Sequence, residues 1–315
     1  MATTAADVPA PVSSSRRQDP IESLTPRHEL SLFAGASGVG KTTLLLQAVA
    51  ALQRGQPFFG METDPTVKVG YFAADRTWDA YLQVATSMGV DNDRLSVISL
   101  IDSLHIPGVD LTTLHNNPSR ILYNGLAWLH QQQCNFIIVD PLILFLGCDV
   151  RSYHQVAAGL IAISRWCKLH QVTILGTHHA AKARTDYGYK RPQDRISGSA
   201  ALLGFSSTQI FLDAPNENDL TYYRLTIVSH TAPMQELQLQ RDVTAGGPFV
   251  LHSPTSDPVM SRVLSSIPLN SQLPLHTLYQ QVGLPAHEVE PQLASLLRLG
   301  LIERHRDQVR RLRPA

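Results

Sequence analysis

The tightest constraint on this chain is an eight-residue segment, Gly35-Ala36-Ser37-Gly38-Val39-Gly40-Lys41-Thr42, in which three glycines precede a Lys-Thr pair. Glycines at this spacing let the backbone take positive φ and turn successive N–H groups toward one anion, where a Cβ would obstruct. Such a loop works between a strand that delivers it and a helix whose positive end closes it. The flanks supply both, since the apolar run Leu30 to Ala34 leads in and Leu44 to Leu52 follows with helical spacing. The segment therefore reads as a P-loop for a nucleoside triphosphate. Gly35, Ala36, Ser37, Gly38, Val39 and Gly40 would wrap the β-phosphate and Lys41 would reach the β/γ-phosphates. Thr42 would offer its hydroxyl to Mg²⁺, and Thr43 completes the nucleotide-binding set.

A chain of 315 residues has room for one large domain and a small appendage. Basic and acidic residues balance at 26 each, so attraction to nucleic acid or membrane has to be local. Cys134, Cys148 and Cys167 form no C-x-x-C pair, which argues against zinc or a disulfide framework and for buried thiols. No apolar stretch reaches the roughly 18 residues of a transmembrane helix, and the start lacks a signal-peptide core, so no membrane partner and a cytoplasmic location are expected. Residues 1–24, rich in Ala, Thr, Ser and Pro, read as a disordered tail.

From Leu30 onward, short apolar runs alternate with helical patterns. Val67 to Ala73, Leu95 to Leu100, Phe136 to Val139 and Val172 to Gly176 read as strands. Thr77 to Met88, Pro118 to Gln133 and Ser152 to His170 read as helices. Alternation of this kind implies an α/β fold with a mostly parallel sheet covered on both faces and its loops gathered at the strand C-termini. Past Phe205 the pattern turns strand-rich: Thr208 to Leu212, Tyr222 to Val228, Glu236 to Gln240 and Phe249 to Leu251 read as an antiparallel extension.

Phe136-Ile137-Ile138-Val139-Asp140 ends a buried strand in one carboxylate, a Walker B pattern that would hold Mg²⁺ through water. Val69-Gly70-Tyr71-Phe72-Ala73-Ala74-Asp75 puts a second carboxylate at the end of the strand after the P-loop helix, a position suited to orienting an attacking water. A helix N-cap is the other use of an Asp there. With these motifs the chain resembles the RecA-like ATPases that include RepA-type hexameric helicases, DnaB-type helicases and RadA-like recombinases. The resemblance covers about Thr25 to Leu251. It is closest to the RepA-type group, through the P-loop, Asp75, Asp140-Pro141 and a histidine pair followed by lysine. It implies ATP and Mg²⁺ as cofactors, Lys41, Asp75, Asp140 and His179 as catalytic residues, and a homo-oligomer on the pattern of the hexameric members. The family usually carries Glu where this chain has Asp75, one methylene shorter.

In Thr173-Ile174-Leu175-Gly176-Thr177-His178-His179-Ala180-Ala181-Lys182, the resemblance makes Thr177 and His178 sensor candidates alongside His179. An imidazole there could report phosphate loss by hydrogen bonding. One packed and one solvated histidine is the plainer alternative. Between Lys182 and Arg195, five basic residues (Lys182, Arg184, Lys190, Arg191, Arg195) face two acidic ones, with Tyr187 and Tyr189 among them. In RecA-like hexamers the corresponding loop faces a central channel, so Lys190 and Arg191 are candidates for contact with single-stranded DNA. Lys182, Arg184 and Arg195 are sensor or arginine-finger candidates toward a neighbour's ATP. The family often places Arg directly before the following Gly-Ser, whereas here Ser197 precedes Gly198-Ser199. A merely solvated loop is the other reading.

Ser253-Pro254-Thr255-Ser256-Asp257-Pro258 reads as a linker that closes an ATPase domain over 25–252 and opens a second domain over 257–315. Val259 to Ile267, Leu275 to Val282 and Ala286 to Leu299 have helical spacing, and the stretches 301–305 and 309–313 alternate as a hairpin. This succession resembles a winged helix-turn-helix. Six arginines against two acids from Arg298 to Arg313 suit a phosphate backbone, with Arg304, Arg310 and Arg311 as contact candidates for duplex DNA. Winged helices also bind proteins, and Glu288 and Glu290 on the third helix would repel phosphates. The combined expectation is an oligomeric RecA-like motor or switch acting on DNA in replication or recombination. A non-translocating ATP-dependent loader and a DNA-binding repressor with a degenerate ATPase are the alternatives.

Overall fold

Phe136 to Val139 sends alternate side chains to opposite faces, and all four are buried, which is the signature of a strand inside a sheet covered on both sides. The computed structural model describes residues 19–102, 117–180, 193, 196, 200–214, 221–230, 232–242, 246–252, 258–269, 271–298 and 301–312. Among these, nine strands form one sheet: β1 (Leu30–Gly35), β2 (Val69–Ala73), β3 (Leu95–Ser99), β4 (Phe136–Asp140), β5 (Thr173–His179), β6 (Thr208–Asp213), β7 (Tyr222–Ser229), β8 (Gln235–Arg241) and β9 (Phe249–Leu251). Their order is β3-β2-β4-β5-β1-β6-β7-β8-β9. The pairs from β3 across to β6 are parallel, and those from β6 to β9 are antiparallel. The chain thus has the expected α/β class with an antiparallel extension.

Helices α1 (Lys41–Arg54) and α2 (Trp78–Ser87) bury Leu45, Val49, Tyr81 and Ala85 in a core that also takes Phe136 and Ile138. Helices α3 (Pro118–Gln131) and α4 (Tyr153–His170), with the single turn α5 (Ala201–Gly204), share the opposite core with Ile137 and Val139. The helix ends follow local chemistry. Asn117 accepts from Arg120 N at 3.1 Å ahead of Pro118, while α1 stops at Gly55 with φ 61°. Cys134 and Cys167 are buried and Cys148 is half-buried; burial pushes the Cys167 thiol up to about 12. Among the described residues no helix is long and apolar enough to cross a membrane.

Two boundaries and one cap differ from the sequence reading. Ile21 and Leu24 are buried and Ile21 bridges both Thr25 and Thr63, so the packed chain starts before residue 25 and the tail does not extend to 24. Two large aliphatic residues at the end of a polar stretch are enough to dock it. Strand β5 runs on to His179, three residues past the Gly176 end expected from the sequence, so Thr177 and His178 lie within the sheet. The first N–H of α2, on Trp78, is capped by the Asp102 carboxylate, so Asp75 is not that helix's N-cap.

Beyond the sheet, α6 (Pro258–Ser266), β10 (Gln272–Pro274), α7 (Leu275–Val282), α8 (Ala286–Arg298), β11 (Ile302–His305) and β12 (Gln308–Arg311) follow in turn. Their strands form an antiparallel sheet in the order β10-β12-β11. A separate core of Val263, Leu264, Leu278, Val289, Leu293 and Val309 holds this unit together. The short strand β10 lies between two helical patterns, in a stretch to which the sequence reading assigned no element.

Candidate nucleotide site

Because β1, β2, β4 and β5 are parallel neighbours, their C-terminal ends meet at one edge of the sheet, where α1 begins. Gly35 closes β1 with no space for a side chain, since a Cβ there would fall 2.7 Å from Leu212 O of β6. Gly40 is the N-cap of α1 at φ 100°, and a Cβ on it would fall 2.8 Å from Phe249 Cζ and 3.0 Å from Arg241 Nη1. Both crowding and backbone conformation therefore exclude other residues. Gly40→Ala is expected to weaken nucleotide binding at least about tenfold and to cost about 1–3 kcal/mol of stability, read by titration with a fluorescent ATP analogue and by denaturant unfolding.

The antiparallel extension leans against this loop. Gln47 Nε2 of α1 donates to Phe249 O at 2.7 Å, and Phe249 N donates back to Gln47 Oε1 at 2.9 Å. The Arg241 guanidinium lies 5.1 Å from the centre of the Phe249 ring and its Nε donates to Gly247 O at 2.8 Å. Sequence reading assigned β8 and β9 to the sheet but gave them no part in the site. Contact over some two hundred residues of chain leaves no periodic trace.

Asp140, 5% exposed, is the hub of the polar groups. Its Oδ2 accepts from Tyr71 Oη at 2.8 Å, Tyr81 Oη at 3.2 Å and Thr42 Oγ1 at 3.4 Å, and its Oδ1 accepts from Thr177 Oγ1. Tyr81 Oη also lies 2.9 Å from Asp75 Oδ1. The register explains the convergence: Ala73 of β2 faces Asp140, Val139 faces Gly176, and Phe33 faces Thr177. Thr42 and Asp140 are hard oxygen donors at mutual contact distance, a set that fits Mg²⁺. Burial first, then the negative charge of Asp140, pushes both tyrosine phenols far above their ordinary values, so they stay protonated and can donate to the carboxylates.

Lys41, 8% exposed, donates from Nζ to Gly35 O at 2.9 Å and Ala36 O at 3.0 Å. Its amine also lies 3.5 Å from His179 Nδ1, because Gly35 and His179 are register partners on β1 and β5. Burial lowers the Lys41 ammonium, and Asp140 and then Asp75 oppose the shift. Burial and then Lys41 hold the His179 imidazole below 6.5, against Asp75 and Asp140. A neutral imidazole can accept the amine's hydrogen bond. His178 is buried.

The structure thus brings together Lys41, Thr42, Asp75, Asp140, Thr177 and His179. Lys182, Arg184, Lys190, Arg191 and Arg195 lie outside the described residues. In the C-terminal unit, Arg304 pairs with Glu290 and Arg310 with Glu303, each at 2.7 Å, while Arg311 Nη1 donates to Leu264 O at 3.4 Å. Tyr71 and Tyr81 were missed. Tyr71 shares a face of β2 with Ala73, two residues before Asp75, a signal that alternation could have given, but the approach of Tyr81 depends on how α2 folds back.

A glycine loop between strand and helix, with a buried carboxylate two strands away, defines a P-loop nucleotide-binding protein. The AAA domain family matches residues 2–185, more than half of the chain, which belongs to that family of ATPase-type nucleotide-binding proteins. Proteins of this class bind ATP and Mg²⁺. The match ends before β6 and the C-terminal unit. No curated protein matches the chain.

Proposed function

We propose that this chain is an ATP-hydrolysing RecA-like motor or switch of the RepA-type group, acting on DNA in replication or recombination as a homo-oligomer. The observation that carries this reading is the meeting of the P-loop hydroxyl Thr42 Oγ1 with Asp140 Oδ2 at 3.4 Å, with Asp75 joined to Asp140 through one tyrosine hydroxyl. In this reading the loop amides and Lys41 bind the phosphates, and Thr42 and Asp140 hold Mg²⁺. The ion, when bound, neutralises charge on the phosphate oxygens. Tyr81 occupies Asp75 Oδ1, leaving Oδ2 to orient the attacking water and take its proton. Thr177, bonded to Asp140, and His179, beside Lys41, stand between the phosphates and the chain leading to the basic loop, as a sensor should. A basic side chain of a neighbouring copy, from Lys182, Arg184 or Arg195, completes the site. Lys190 and Arg191 then face single-stranded DNA.

Helix, strand, helix, helix and hairpin with the sheet order β10-β12-β11 suit a winged helix. The pairing of Arg304 with Glu290 and of Arg310 with Glu303 favours a protein over duplex DNA as the target of this unit, and with it the loader reading. ATP turnover with and without single-stranded DNA tests the alternatives. Stimulation by DNA supports the motor, turnover indifferent to DNA supports the loader, and nucleotide binding without turnover supports a repressor with a degenerate ATPase.

A further inference from the structure

Tyr81 is 1% exposed, its ring stacked near Trp78 at a centroid distance of 6.1 Å and tilted against Tyr71 at 5.2 Å. Packing therefore fixes the ring and leaves the hydroxyl hydrogen as the moving part. A phenol has one proton to donate. Two carboxylate oxygens lie within its reach, Asp75 Oδ1 at 2.9 Å and Asp140 Oδ2 at 3.2 Å. The two acceptors are not equivalent, because Asp140 Oδ2 also receives Tyr71 at 2.8 Å and Thr42 at 3.4 Å.

Resting on the ATPase reading above, we propose that Tyr81 is a positioning residue that couples the two carboxylates. Its single hydroxyl proton goes either to Asp140 Oδ2 or to Asp75 Oδ1, and commitment of Asp140 to a divalent cation directs it to Asp75. Two consequences of opposite sign follow. As a donor to Asp140, Tyr81 competes with the cation for the same lone pairs. As a donor to Asp75, already its nearer acceptor at 2.9 Å, it fixes the carboxylate that aligns water, and a cation on Asp140 makes that choice the exclusive one.

The test uses the full chain, wild type and Tyr81→Phe, with two readouts: Mg²⁺ titration of the binding of a non-hydrolysable fluorescent ATP analogue, and steady-state ATP turnover. The variant keeps the ring, and Asp140 keeps its bonds from Tyr71 and Thr177, so the fold should hold and a melting curve checks it. The expected result is a half-saturating Mg²⁺ concentration lower by about fivefold, the loss of one competing donor. In the same variant kcat should fall at least about tenfold, with nucleotide affinity at saturating Mg²⁺ within about twofold of wild type. A role in packing alone would raise the Mg²⁺ requirement or leave it alone. Asp75→Asn should raise the Mg²⁺ requirement in wild type, by sending the proton to Asp140, and shift it no further in the Tyr81→Phe background. An unchanged or raised Mg²⁺ requirement in Tyr81→Phe, a retained kcat, or an Asp75→Asn shift that persists without the hydroxyl overturns the coupling. If the wild type binds no Mg²⁺-nucleotide, the ATPase reading itself fails and the coupling with it; if it binds and hydrolyses normally, a null result in the variant overturns the coupling alone.

Discussion

Lys41→Ala is expected to lower ATP turnover by at least about a hundredfold, the usual effect of removing a preorganised charge from a site where phosphoryl charge develops. The amine is held by Gly35 O, Ala36 O and His179, so it meets the phosphates already desolvated and oriented, with little reorganisation left to make. The fold should survive. Burial lowers the Lys41 ammonium, meaning that the folded chain bears a cost for keeping it charged that alanine does not. Steady-state hydrolysis paired with thermal unfolding separates the two effects: turnover lost with melting retained is the expected pattern, and hydrolysis at wild-type rates would refute the assignment of the site. Lys41→Arg should not rescue, since a planar guanidinium cannot make the same contacts with the two loop carbonyls from the same stem.

Asp140→Asn carries the second large effect. The substitution keeps the shape of the side chain but removes the charge that would balance a divalent cation, and turnover should again fall at least about a hundredfold. Dependence on Mg²⁺ should flatten, with metal-free nucleotide binding preserved. Stability should also respond, unlike the lysine case. Asp140 accepts from four hydroxyls, with Tyr71, Tyr81 and Thr42 on Oδ2 and Thr177 on Oδ1. An amide presents only one acceptor end, so whichever way the substituted side chain turns, its NH₂ faces a hydroxyl that needs an acceptor. The expected cost is about 1–3 kcal/mol, measured by denaturant unfolding without nucleotide. An Asp140→Asn protein as stable as wild type would mean that the hydroxyl ring does not close in solution.

The parts of the site that follow a spacing rule were legible. The Gly35 to Thr42 segment, the strand ending at Asp140 and the strand preceding Asp75 each announce themselves within a dozen residues, whereas the sheet order β2-β4-β5-β1 that brings their ends together does not follow chain order. Strand β5 was read too short because Thr177, His178 and His179 are polar, although a polar strand end is what a site at the sheet's edge requires. Ile21 and Leu24 were assigned to the tail because composition averages over a window, while docking needs only two side chains and the bridge to Thr63. Tyr81 and the wall formed by Arg241 and Phe249 come from elements far apart in sequence. No local pattern encodes where a helix or an edge strand returns, and tertiary approach of this kind becomes visible only in three dimensions.

The doubled bond between Gln47 and Phe249 has a mechanical meaning. It rivets the helix that grips the nucleotide to the last strand of the sheet, and that strand is the final piece of the large domain before the chain passes into the C-terminal unit. A displacement of α1 is thus shared at once with β9 through two hydrogen bonds of opposite direction, so the helix and the sheet's far edge strand shift together or not at all.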